Sequence, residues 1–145
     1  SMMVLIAVIP LAGLLSDHYG RKPVMLAGIV LMGALAYPLF KWIDLGVLWI
    51  ALVAQLVFAV LMGLIQGPLP ALMVEMFPAR TRFSAIGLGY NLTLAVFGGT
   101  APMVSTWLIR ETGDLASPAV YLVILSVISF ICLVTYQQNN DLYPE

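Results

Sequence analysis

The chain has 145 residues, of which 62% are hydrophobic and 9% charged, with a formal net charge of −1. A soluble domain of this length needs far more polar surface for water to wet, so the composition points to lipid. The sequence pI near 5.7 argues against a nucleic-acid partner, which requires Lys and Arg clustered on a basic face. Cys132 lies inside an apolar run with no partner for a disulfide or a metal set, so neither a metal site nor a cofactor is expected.

Five apolar runs follow one another, over residues 2–15, 24–40, 47–74, 84–109 and 118–136. A hydrocarbon core of about 30 Å needs about 20 helical residues, so four of the runs can cross while the first, with about 14, reads as a helix cut off at its start. A signal peptide does not account for that run, because Ser1-Met2-Met3 carries no basic residue and Leu14-Leu15-Ser16-Asp17 is a poor cleavage site. Continuous apolar runs also lack the in/out alternation of a β-barrel strand. The expected class is an all-α membrane bundle.

The charges sit between the runs. Arg21, Lys22, Arg80 and Arg82 fall in the first and third connections, against Lys41 and Arg110 in the other two. The positive-inside rule therefore puts the Arg21 and Arg80 connections in the cytoplasm, together with the tail from Gln137 to Glu145. In the first connection, Gly13 and Gly20 allow close helix approach and a tight turn, Asp17 supplies an anion, and Arg21-Lys22-Pro23 starts the next helix. A carboxylate beside a helix N-terminus gains roughly 0.3–1 kcal/mol from the dipole, and becomes a latch if that helix end moves. An ordinary turn with topogenic charges is the competing reading, and His18 reads as a solvated loop residue.

The second charged connection, Glu75-Met-Phe-Pro78-Ala-Arg80-Thr-Arg82, ends one helix on an acid and begins the next on two arginines. Glu75 and Arg82, seven apart across a proline break, are expected to pair, since a guanidinium can bridge two carboxylates. A network of Asp17, Arg21, Glu75 and Arg82 follows. Exposed pairs contribute only about 0–1 kcal/mol each, so several must act together to bias a switch.

Gly13-x-x-x-Asp17-x-x-Gly20-Arg21-Lys22 resembles the loop signature of the major facilitator superfamily, in the copy joining the eighth and ninth helices. Gly67-Pro68-Leu-Pro70 leading to Glu75 and Arg82 is similar to the elbow between the tenth and eleventh helices. The run from Glu75 to Ala85, with Gly89-Tyr90-Asn91 and Phe97-Gly98-Gly99-Thr100-Ala-Pro102, resembles the metabolite:proton symporters that carry proline/betaine, α-ketoglutarate and shikimate. The likeness covers essentially the whole chain. It implies the C-terminal part, from the end of helix eight through helix twelve, of a twelve-helix carrier in a bacterial inner membrane. The N-terminal half of that carrier, helix seven and most of helix eight are expected as missing partners. The tail lacks the heptads of the coiled coil that some osmolyte carriers of the family possess.

Candidate cavity residues come from two runs. Gln55 and Gln66 lie three helical turns apart on one face with Ala59 and Met62, and a buried amide in lipid needs a partner or water. Gly67, Pro68 and Pro70 are expected to bend that helix near its inner end. In the fourth run, Ser84, Gly87, Asn91, Ala95, Gly98, Pro102 and Ser105 recur at helical spacing. Tyr90 and Asn91 would line a cavity, and Gly98, Gly99 and Pro102 would let the helix flex; helix packing accounts for the same small residues. Asn91-Leu-Thr93 matches a glycosylation triplet but lies inside an apolar span. The runs 24–40 and 118–136 read as support, and Trp42, Trp49 and Trp107 as interfacial anchors.

No Asp, Glu, His, Lys or Arg occupies the middle of any run, whereas a proton carrier normally needs an ionisable group in its pathway. The proton site is therefore expected in the missing half, with Glu75 as the acid here best placed for gating. The resulting expectation is a secondary transporter that moves a small polar metabolite with protons by alternating access. A facilitative carrier similar to sugar porters and a small membrane scaffold or assembly subunit remain alternatives; no nucleophile, base and metal set converges to make an enzyme.

Overall fold

The computed structural model describes residues 2–77 and 80–136. The tail from Gln137 to Glu145, expected on the cytoplasmic side, lies outside the described residues, as do Pro78 and Ala79. The elements are α1 (Met2–Tyr19), α2 (Arg21–Asp44), α3 (Leu48–Gln66), α4 (Leu69–Met76), α5 (Arg82–Thr93), a π-helical turn (Leu94–Gly98), α6 (Gly99–Thr112) and α7 (Pro118–Thr135). They make five stretches long and apolar enough to cross a membrane: Met2–Tyr19, Arg21–Asp44, Leu48–Met76, Arg82–Thr112 and Pro118–Thr135. The fold is an all-α membrane bundle, because lipid offers backbone groups no partner outside their own helix.

Glycine and proline mark the breaks. Gly20 takes φ 94° between α1 and α2, and Gly113 takes φ 68° just past α6, conformations that cost other residues about 1–2 kcal/mol. Gly67-Pro68 separates α3 from α4 inside one membrane stretch, with Pro70 in the first turn of α4.

α2 is the central helix. Val24, Met25, Gly28, Ile29, Met32, Ala36 and Leu39 are buried along it, a spacing that keeps one broad face inward. It packs on α3 and α7, while α1 packs on α3. Lipid tails are as apolar as leucine, so close van der Waals contact holds these helices together rather than the hydrophobic effect. Glycines supply the closeness: a Cβ on Gly28 would stand 2.9 Å from the Ile65 side chain, and one on Gly67 2.7 Å from the Ile9 carbonyl oxygen.

The fourth stretch is built differently. No residue from Arg82 to Thr112 is buried, and a Cβ on Gly87, Gly89 or Gly99 would meet nothing within 4 Å. Its polar side chains bond back into their own helix. Asn91 donates to the Gly87 carbonyl, Thr93 to Gly89, Thr106 to Pro102 and Thr112 to Leu108.

Away from Arg21, the end of α2 is tied to the connection between α6 and α7. Lys41 Nζ lies 3.1 Å from Asp114 Oδ1 and 3.2 Å from Oδ2, and 5.8 Å over the Tyr37 ring. Asp114 Oδ1 also accepts the Ala116 N–H at 3.0 Å. That backbone bond first, and then the bond from Lys41, hold the Asp114 carboxyl below the usual carboxylate range, partly opposed by desolvation. Trp42, Trp49 and Trp107 are all exposed near this end.

Two outcomes follow from this packing. Gly67→Ala is expected to destabilise the bundle by about 1–3 kcal/mol, because a carbonyl oxygen held in α1 cannot swing aside, while Gly87→Ala is expected to cost nothing; thermal denaturation in lipid micelles compares the two. Because folding lowers the Asp114 pKa, its contribution is complete above the ordinary value of about 3.9 and is lost as pH falls through the lower folded value. Titration of a labelled Asp114 carboxyl by infrared spectroscopy should show a midpoint below that of a free aspartate. Lys41→Met should raise the midpoint only in part, since the Ala116 N–H, the larger cause, remains.

Candidate functional site

The Gly20 turn places Arg21 as the first residue of α2, one helical turn after Asp17 near the end of α1. Arg21 Nη2 lies 3.0 Å from Glu75 Oε1 and 3.7 Å from Asp17 Oδ1. The two acids are unequal: the Asp17 side chain is 62% exposed and that of Glu75 39%, against 26% for Arg21. The Glu75 contact is therefore the shorter and better shielded. The Arg21 Nη1 atom is buried with no hydrogen-bond partner among the described residues.

Glu75 lies near the end of α4, beyond the Gly67-Pro68 break within the Leu48–Met76 stretch. A Cβ on Gly67 would also stand 2.9 Å from the Gly13 amide nitrogen, so Gly13 marks where α1 crosses the break. Ser16, buried beside it, donates to the Gly13 carbonyl at 2.6 Å. Lys22 extends the cluster to α7, donating to the Tyr136 carbonyl and lying 5.1 Å over the Tyr136 ring. One Arg-Lys pair thus ties α1, α4 and the end of α7 to the start of α2.

Three of the four expected members, Asp17, Arg21 and Glu75, meet at Arg21, which carries both carboxylates, whereas the expected Glu75–Arg82 pair does not form because Arg21 takes the Glu75 carboxylate. Arg82 donates its Nε to the Phe77 carbonyl at 3.2 Å, holding the start of α5 to the end of the preceding elbow. Arg80 is exposed. What this set can do is mechanical: it joins helix ends by charge-assisted bonds that can be made and broken without unfolding a helix.

A cavity of about 880 Å³ opens between α2, α3, α4, α5 and α7. Met25, Met62, Met73, Phe58, Tyr90 and Ser126 are among its walls, which are almost wholly apolar. Of the four cavity candidates, Tyr90 lines it. Asn91 turns its amide to Gly87 instead, and Gln55 and Gln66 lie exposed on α3 outside these walls. Of the expected flexing positions, Gly98 closes the π-helical turn, Gly99 opens α6 and Pro102 lies inside it.

Sequence reasoning missed three contacts: Lys41 with Asp114, Lys22 with Tyr136, and the Tyr121 hydroxyl with the Phe97 carbonyl at 3.2 Å. The Gly113-Asp114 pair ahead of Ser117-Pro118 is a turn signal, and Asp114 closes that turn on the Ala116 N–H before α7 starts. Nothing in the sequence pairs it with a lysine 73 positions away.

Comparison with known proteins agrees along the whole length. A proline/betaine transporter of Escherichia coli strain K12 is 34% identical over 140 residues, which cover 97% of this chain and 28% of that protein. The ectoine/proline transporter ProP of Corynebacterium glutamicum is 31% identical over 140 residues, with the same two coverages. OusA of Dickeya dadantii, a glycine betaine/proline/ectoine/pipecolic acid transporter, is 33% identical over 130 residues, or 90% of this chain and 26% of that protein. The chain therefore spans less than a third of the length of these relatives. No solved structure matches it. With the Major Facilitator Superfamily model matched across residues 1–141, and its loop signature folded around Arg21, the chain belongs to that superfamily.

Proposed function

We propose that this chain forms the C-terminal part of a twelve-helix secondary transporter, in which two halves rock around a central site to carry a small polar solute together with protons. The observation that carries the reading is Arg21, which joins the ends of α1, α2 and α4 through Asp17 and Glu75. In a rocking cycle such a cluster latches one gate, because its bonds lie at helix ends and can exchange as the ends separate. The names of the relatives place proline, betaine and ectoine first among solutes to try. The Arg21 and Arg80 elbows and the C-terminus face the cytoplasm of a bacterial cell in this reading, by the positive-inside rule.

The remaining half of the carrier covers Arg82–Thr112. Glycines at the other seams are filled by a neighbour, as Gly28 is by Ile65 and Gly63 by Val8, whereas Gly87, Gly89 and Gly99 face open space. A helix from outside this chain is the natural occupant, since in lipid small residues stabilise only what packs on them. The solute site then lies between that half and this one, with Tyr90 on the wall shared by both, and Gln55, Gln66 and Asn91 as further candidates. The proton-carrying group lies in the other half, because every charged residue described here belongs near a helix end, and Glu75 acts in gating.

Uptake of labelled proline and betaine into vesicles containing the full-length carrier is the deciding experiment. Accumulation driven by an imposed pH gradient and abolished by a protonophore supports symport; uptake that only equilibrates, with no proton dependence, turns the reading to a facilitative carrier. Asp17→Asn and Arg82→Ala are each expected to reduce maximal uptake about tenfold, equivalent to about 1.4 kcal/mol on the cycle, with membrane insertion intact. Wild-type rates in both variants would remove the latch. Asn91→Ala should raise the apparent KM, and an unchanged KM assigns Asn91 to helix packing. Gly87→Leu, harmless to the isolated chain, should block assembly of the full carrier if another helix packs there.

A further inference from the structure

The stretch Arg82–Thr112 is continuous but out of register with itself. Between Leu94 and Gly98 it takes a π-helical turn, which holds one residue more than an α-turn. The Gly99 N–H shows the mismatch directly, since it is shared between the Leu94 carbonyl, five residues back, and the Val96 carbonyl, three back. The carbonyl in α register would belong to Ala95. Downstream, Pro102 has no N–H to offer the Gly98 carbonyl.

Three features bear on how the extra residue stays where it is. Side-chain packing does not hold it, because no residue of the stretch is buried. The ends are held: Arg82 bonds to the Phe77 carbonyl, and beyond Gly113 the connection is tied to α2 through Asp114 and Lys41. At the turn itself, the Tyr121 hydroxyl donates to the Phe97 carbonyl at 3.2 Å. The bond comes from a different helix, so it ties the position of the extra residue to α7 rather than to the stretch's own backbone ladder.

We propose that Tyr121 is a positioning residue that pins the π-turn, and that releasing its hydroxyl lets the extra residue pass along the helix and turns α5 relative to α6. One residue of register is about 100° of rotation and 1.5 Å of rise. Gly89, Tyr90 and Thr93 all line the cavity from α5, so the same step swings that wall around. Helix bending at Gly98, Gly99 and Pro102 needs no such rotation, which distinguishes the two motions. The use of this step in transport rests on the carrier reading above; the step itself does not.

Amide hydrogen exchange on the full-length polypeptide in lipid nanodiscs tests it without any transport assay, so a failure of the carrier reading leaves the result interpretable. Tyr121→Phe keeps the ring and removes the hydroxyl. Exchange at Gly99, Thr100 and Ala101 should rise roughly five- to tenfold, as expected for one lost hydrogen bond, with α7 amides unchanged. Unchanged exchange at the turn overturns the proposal, and so does faster exchange throughout α7, which would mean that Tyr121 merely holds its own helix. Removal of Ala95 supplies the second variant. It should leave an uninterrupted α-helix whose amides are better protected than wild type and indifferent to Tyr121→Phe; continued sensitivity to that substitution overturns the proposal as well.

Discussion

Inside the hydrocarbon no water is available, so every backbone N–H and C=O must be satisfied within its own helix or by a neighbouring side chain. Most features of this molecule follow from that constraint. Among the described residues, charges lie at helix ends and in the connections between them, where Arg21 meets Glu75 and Lys41 meets Asp114. Hydroxyl and amide side chains in the uncovered stretch fold back to carbonyls of the preceding turn, as Asn91, Thr93 and Thr106 do. Where the helix departs from α geometry at Leu94–Gly98, a tyrosine from another helix meets a carbonyl.

Packing divides the bundle in two. α1, α2 and α3 meet at glycines close enough that a Cβ would strike a neighbour, and α2 is buried along much of its length. The stretch Arg82–Thr112 has the same small residues, but no residue in it is buried and a Cβ on Gly87, Gly89 or Gly99 would meet nothing. In water such an apolar helix would be driven inward; in lipid it is already solvated, so only a shape-matched partner draws it into a bundle. The cavity beside it shows the same incompleteness. Methionines are prominent in its wall, and their flexible thioethers accommodate more than one neighbour.

The two ends of the bundle are fastened by different chemistry. On one, Arg21 shares its guanidinium between an exposed Asp17 and a better shielded Glu75, and Lys22 reaches the end of α7. A fork with two acceptors can loosen one while keeping the other, which suits a contact remade during a cycle. On the other, Lys41 meets a carboxylate already held by the Ala116 N–H. That acid is fixed by its own loop before the lysine arrives, which suits a permanent tie.

Much was legible in the residue order. Runs of apolar residues long enough to cross a bilayer mark the helices, and glycine with proline marks the breaks, because both act through local geometry that needs no third dimension. The superfamily was legible from Gly13 to Lys22, where a turn and its charges lie within ten positions. That Asp17, Arg21 and Glu75 belong together could also be anticipated. Which arginine carries both acids could not, since Arg21 and Glu75 are far apart in sequence and meet only where the Gly67 break crosses α1. The same holds for Lys41 with Asp114 and Tyr121 with Phe97. Gly98, Gly99 and Pro102 mark a weak point in this helix, but the extra residue of the π-turn at Leu94–Gly98 has no sequence mark of its own. Sequence determined what must be buried in lipid and where the chain must turn, because those depend on each residue's own preference; tertiary structure decided which distant groups meet, because that depends on how closely particular helices approach.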